Sequence, residues 1–167
     1  NYVDKIVDAF SQIDPDGALQ YSSNASTYKA KLESLDKELR DSLSSIPKER
    51  RFLVTCEGAF TYLARDYGMK EAYLWPVNAE SQVTPRRMVN LIKKIKENEV
   101  PTIFCESTVS AEAQLEVAKS SGAVFGGTFY VDSLSDLNGP APTYIDLLRH
   151  NVRLIIDGLS ISAVKKK

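Results

Sequence analysis

The chain has 167 residues, with 21 Lys+Arg against 22 Asp+Glu, one His, two Cys and 43% hydrophobic residues, giving a formal net charge of -1. That size and even composition suit one globular domain or a domain with an appendage, and exclude collagen, a disordered low-complexity chain and a disulfide scaffold. A polyanion binder carries a basic excess, whereas the dense basic runs here are only Lys48 to Arg51 and Lys165 to Lys167, so no nucleic acid partner is expected.

No stretch approaches the roughly 18 uninterrupted apolar residues that span a bilayer, and the opening NYVDKIVDAF has the pattern of an amphipathic helix rather than an export signal. Val3, Ile6, Val7, Phe10 and Ile13 form a helical stripe that Asp14-Pro15 ends, because the residue before proline is pushed out of the α region. A longer helix is expected from about Ser26 to Ser45. Tyr28, Leu32, Leu35, Leu39 and Leu43 give it one narrow apolar face, and Glu33/Lys37 and Asp36/Arg40 are favourable i,i+4 pairs. A helix of that kind suits a strut. The first 22 residues are then an N-terminal helix and connection, 23–47 a long linker helix, and 48–167 an α/β lobe.

Within the lobe, strand and helix alternate. RFLVTC (Arg51 to Cys56), EAYLWPVN (Glu71 to Asn78), PTIFCE (Pro101 to Glu106) and AVFGGTFYVD (Ala123 to Asp132) are the expected strands, with Gly126-Gly127 marking a bulge or close packing. Helices fall between them: Ala59 to Tyr67, a segment capped by Thr84 with Pro85 at its first position, and a segment from Ser110 that Gly122 stops. A last helix from near Pro142 places Ile145, Leu148, Val152, Ile155 and Leu159 on one face. This order predicts a four-stranded parallel sheet with right-handed crossovers and helices on both faces.

In open sheets of this type ligands sit beyond the carboxyl ends of the strands. Those ends carry Cys56-Glu57, Asn78 and Glu80, Cys105-Glu106-Ser107 and Asp132-Ser133, so carboxylates dominate the rim. Several acids on one rim call for a cation, a helix N-terminus or a buried proton, although each acid by itself also suits a helix cap. His150 falls inside the last helix, away from the rim, and no phosphate loop motif occurs. Cys56 and Cys105 stand in no zinc-clip spacing and have the character of buried small apolar residues.

The stretch VTCEGAFTYLARDYGMKEAYLWPVNAESQVTP, with VPTIFCESTVS and TFYVDSL after it, resembles the C-terminal lobe of the manganese and zinc receptors of ABC importers, the cluster A-I solute-binding proteins. The resemblance covers nearly the whole chain. It implies two α/β lobes joined by one long rigid helix, with the metal held in the cleft between them. Glu57 matches a position that is Glu in manganese-type receptors and His in many zinc-type ones, Asp132 matches the carboxylate ligand from the last strand, and Glu106 matches an acid that supports the site without being a ligand. The family's other two ligands are histidines of the N-terminal lobe, and His150 matches neither, so the chain is expected to be a C-terminal lobe with its linker helix and half a metal site.

That half-site implies weak, poorly selective binding of Mn²⁺ or Zn²⁺, with the carboxylate at 57 favouring Mn²⁺. The implied partners are a membrane permease and the N-terminal lobe, with self-association through the surface that lobe would cover. The implied location is the periplasm, or the cell exterior as a membrane-anchored lipoprotein. No catalytic residue is expected. The alternative is an α/β enzyme using Glu57, Glu106 and Asp132 for acid-base or metal-assisted chemistry, and a third reading is a metal-free module that docks a permease. The family's strand order of 2-1-3-4 also makes Cys56 and Cys105 neighbours, and leaves open whether they stay thiols or bridge two parallel strands, a geometrically awkward bond.

Overall fold

The computed structural model describes residues 2–79 and 83–161. The chain divides into two compact units, Asn1–Arg40 and Asp41–Lys167. In the first, α1 (Tyr2–Ile13) ends where expected, and a single 3-10 turn (Pro15–Gly17) leads at once into the long helix α2 (Ala18–Ser44). Asp14 organises that turn, accepting the Gly17 N–H at 3.3 Å and the Tyr21 hydroxyl at 2.6 Å.

The long helix therefore begins well before Ser26, and the boundary placed between residues 22 and 23 falls inside it. Its run of Ser and Asn resembled a connection because such side chains compete for backbone groups. Here they do not compete: Ser26 and Thr27 donate back to the carbonyls of Ser22 and Ser23 at 3.0 and 3.2 Å, and Gln20 donates to Asn24 at 2.8 Å. Phe10 meets Tyr21 edge-on at 5.5 Å, and Lys29 pairs with Asp4 at 2.7 Å, which holds α1 along the start of α2.

The second unit contains β1 (Phe52–Glu57), α3 (Thr61–Asp66), β2 (Lys70–Trp75), α4 (Pro85–Glu97), β3 (Thr102–Glu106), α5 (Glu112–Ser121), β4 (Val124–Phe129) and α6 (Tyr144–Ser160). Among the described residues all strand pairing is parallel, as the alternation of strand and helix requires. The ladders form two pairs, β1 with β2 and β3 with β4, rather than one continuous four-stranded ladder. Along the seam between β1 and β3 side chains do the joining. Cys56 and Cys105 form a disulfide with Cα atoms 4.8 Å apart, and the Glu57 N–H donates to the Glu106 carboxylate. A bond between adjacent parallel strands was expected to be geometrically awkward, yet the two sulfurs are bonded here, at a seam where no ladder joins β1 to β3.

The strands alternate their side chains between two apolar layers. Phe52, Val54, Cys56, Ile103 and Cys105 pack with Leu91 and Ile95 of α4 and Val117 of α5, while Leu53 and Phe104 pack with Ala64 of α3, Phe129 and Ile155 and Leu159 of α6. Helices thus cover both faces of the strands. The β4 glycines serve both purposes expected of them. Ile103 pairs with Phe125 and Cys105 with Thr128, so β4 carries one extra residue, a bulge in which Gly127 takes φ +125°. A Cβ on Gly126 would collide with the side chains of Thr102 and Phe104, which is the close packing; on α6 a Cβ on Gly158 would lie 2.8 Å from the same two residues, so glycine there lets α6 press against β3, where Thr102 donates to the Gly158 carbonyl at 2.8 Å.

Two caps match the sequence: Thr84 accepts the Arg87 N–H ahead of α4, and Gly122 ends α5 at φ +85°. The cap of α5 falls on Ala111 rather than Ser110, whose hydroxyl instead accepts the Glu112 N–H at 3.4 Å. The basic turn at Lys48 to Arg51 is structural. Arg50 donates to the carbonyls of Leu159 and Ile161 at the end of α6, and Arg51 to that of Ile46. No helix among the described residues is long and apolar enough to cross a membrane.

Candidate metal centre

Glu57 is the last residue of β1 and is buried, because its strand runs between two apolar layers until the chain turns at Gly58. Tyr73 closes over that turn: a Cβ on Gly58 would come within 2.9 Å of its ring. The Gly58 N–H donates to the Trp75 carbonyl at 3.0 Å, carrying the β1–β2 ladder to its end. Thr55 donates to the Glu57 carbonyl at 2.7 Å, so both backbone groups of Glu57 are engaged. Its carboxylate accepts the N–H of Asn78, which adopts the left-handed region at φ +58° in the turn after β2, a conformation asparagine tolerates better than most residues.

Glu106 ends β3 and is only 1% exposed. Its two oxygens face the Glu57 N–H at 3.2 and 3.4 Å. Burial pushes its carboxyl up to about 7; the backbone N–H groups of Glu106 itself, Glu57 and Cys56 oppose this rise, and the negative charge of Glu57 adds to it. The next residue reaches the other way. The Ser107 N–H donates to the Phe129 carbonyl at 2.8 Å, and the Ser107 and Ser133 hydroxyls lie 2.7 Å apart. The end of β3 therefore ties to the segment carrying Glu57 on one side and to the segment carrying Asp132 on the other.

Asp132 lies beyond the end of β4, which closes at Phe129 rather than running to Asp132 as the sequence suggested. Its side chain is exposed. The chain leaves the ladder here because Tyr130 exchanges its strand partner for a side chain: Asn151 of α6 accepts the Tyr130 N–H at 2.9 Å and donates to the Tyr130 carbonyl at 2.6 Å. Asn151 is 3% exposed and was not singled out from the sequence. A lone polar residue in a helix pattern gives no signal of its own, but its place beside Val152 and one turn before Ile155 could have marked it as buried.

The rim thus brings Glu57 and Glu106 into direct contact and sets Asp132 on the far side of Ser107. Asn78 belongs to the same corner, whereas Glu80 lies outside the described residues. Among the described residues Cys56, Cys105 and Glu106 cluster their ligand-type atoms within 4.8 Å of one another, but the two sulfurs are bonded together and offer no thiolate to a metal. Glu106 is itself buried away from solvent. His150, half-buried on α6, sits 3.0 Å from the Thr128 carbonyl and edge-on to Tyr130, so it braces β4 and leaves the rim to the carboxylates.

A parallel α/β lobe with oxygen donors at its strand ends has the form of a ligand-binding lobe. The chain belongs to the family described as zinc-uptake complex component A, periplasmic, which matches it over residues 1–158. It is 49% identical over 157 residues to the iron-binding protein YfeA of Yersinia pestis, a match covering 94% of this chain and 50% of that protein. With the manganese-binding lipoprotein MntA of Halalkalibacterium halodurans it shares 34% identity over 159 residues, covering 95% and 53%. The fold superimposes on a Mn-bound periplasmic metal binding protein from Candidatus Liberibacter asiaticus with a TM-score of 0.87 at 39% identity, covering 95% of this chain and 58% of that one. The chain spans about half the length of the curated relatives it matches, and the family is one of metal uptake rather than of enzymes.

Proposed function

We propose that this chain is the metal-gripping C-terminal lobe of an ABC-importer receptor, which carries Mn²⁺ outside the cytoplasmic membrane and hands it to a permease. The observation that carries this reading is Glu57, a buried strand-end carboxylate whose backbone is held by Glu106 and whose side chain is aimed at the rim corner by Asn78. Asp132 supplies a second oxygen donor, and Glu106 supports the site without binding the ion. Two imidazoles from the half of the receptor not covered here complete the set, as in the family this chain resembles.

Oxygen donors from this lobe favour Mn²⁺, and also Fe²⁺, its neighbour in affinity order, over Zn²⁺, which prefers nitrogen and sulfur. The iron-binding name of the Yersinia pestis relative and the manganese-binding name of the Halalkalibacterium halodurans relative agree with that preference. The Cys56–Cys105 disulfide suits the oxidising periplasm or cell exterior.

The test is isothermal titration of the chelator-treated chain with Mn²⁺ and Zn²⁺, repeated on Glu57→Ala and Asp132→Ala. Weak heats with little discrimination, lost in either variant, are the expected result. Tight one-to-one binding by the monomer, or heats unchanged in both variants, would overturn the assignment.

A further inference from the structure

We infer that Asn151 of α6 is the positioning residue that fixes Asp132 for the metal, an inference that rests on the receptor reading above. The ladder of β4 ends at Phe129, and from there the chain must be held by something other than a strand. Asn151 takes over, engaging both backbone groups of Tyr130 with one planar amide. Only one orientation of that amide satisfies both bonds, so the contact sets direction as well as distance.

The residue is otherwise out of place. Its neighbours on the buried face of α6 are Leu147, Val152, Ile155 and Leu159, and a buried amide in such a stripe is costly unless fully paired. Packing alone would accept a leucine of similar size there. What asparagine adds is a grip on the backbone two residues before Asp132, while the contact between Ser107 and Ser133 holds the chain one residue after it. Val131 between them packs onto the core layer of Phe104 and Phe129. Asp132 is thus bracketed on both sides, yet among the described residues no hydrogen bond or ion pair occupies its exposed carboxylate. A carboxylate held by its backbone and left open at its oxygens is arranged for a ligand arriving from outside.

The test follows the side-chain carboxyl carbon resonances of Glu57 and Asp132 by ¹³C NMR during a titration with Zn²⁺, a diamagnetic probe. The variants are Asn151→Leu, Asn151→Ser in case the first does not fold, and Ile155→Val, a core change on the same helix. In the parent chain both carboxyls should shift together. Loss of the Tyr130 grip should abolish the Asp132 shift and weaken apparent binding by about 10-fold while Glu57 still responds, and Ile155→Val should leave both shifts intact. An undiminished Asp132 shift in the Asn151 variants, or an equal loss in Ile155→Val, would overturn the role of Asn151 and leave the receptor reading standing. If neither carboxyl shifts in the parent chain, the receptor reading fails first and this inference with it.

Discussion

Replacing Cys56 and Cys105 together with alanine should lower the unfolding free energy of the chain by about 4 kcal/mol, the entropy released when a closed loop of this length opens in the unfolded state. The two cysteines are 49 residues apart, a span that includes β2, α4 and most of β3, so their bond removes a large set of unfolded conformations. It also lies within the apolar layer facing α4 and α5, at 0% exposure for both residues, where two alanines leave space that the sheet cannot fully close. Urea unfolding of parent and variant measures the loss. A second sign should accompany it: a steeper dependence on denaturant in the variant, since an uncrosslinked unfolded chain exposes more surface. A variant within about 1 kcal/mol of the parent would show that the β1–β3 seam is held by packing and by Glu106 without the bond.

Glu106 should make the metal-free chain lose stability as pH rises. Its carboxyl titrates near 7 in the fold against 4.5 when unperturbed, so between those values the folded chain keeps a proton that the unfolded chain has released. Proton uptake then favours folding: the contribution is fully present below about pH 4.5 and is lost as pH rises through 7, for a total of about 3 kcal/mol. Glu106→Gln removes the titration while keeping an acceptor for the Glu57 N–H. Unfolding free energies measured from pH 4 to 8 should therefore diverge between parent and variant, the parent falling relative to Glu106→Gln. Parallel curves would mean that Glu106 is ionised throughout, with its three backbone N–H partners outweighing burial.

How much of this was legible beforehand differs from residue to residue. Glu57 and Glu106 could be picked out because a short apolar run ending in an acid places that acid at a strand terminus, and the parallel topology then puts all such termini on one rim. Gly126-Gly127, Thr84-Pro85 and Gly122 were legible because each is a local backbone demand written in a residue type that meets it. The start of α2 was not, since whether Ser22 to Thr27 favour a helix depends on where their hydroxyls point. The disulfide was left open because it depends on how β1 and β3 lie side by side, which neither strand's sequence encodes by itself. Asn151 was the hardest to find, because its role exists only once α6 lies against Tyr130. Asp132 was placed at the end of β4, but it stands on a bend held by side chains beyond Phe129.

In the proposed receptor role, Glu57 and Asp132 are two ligands of one transported ion. Crystals of the chain soaked in Mn²⁺ and measured on both sides of the manganese absorption edge test this directly, because the anomalous signal locates the ion without reference to its ligands. One anomalous peak is expected at the rim within bonding reach of the Glu57 and Asp132 carboxylates, with water filling its other positions. Manganese on other surface acids and none between these two carboxylates would contradict it.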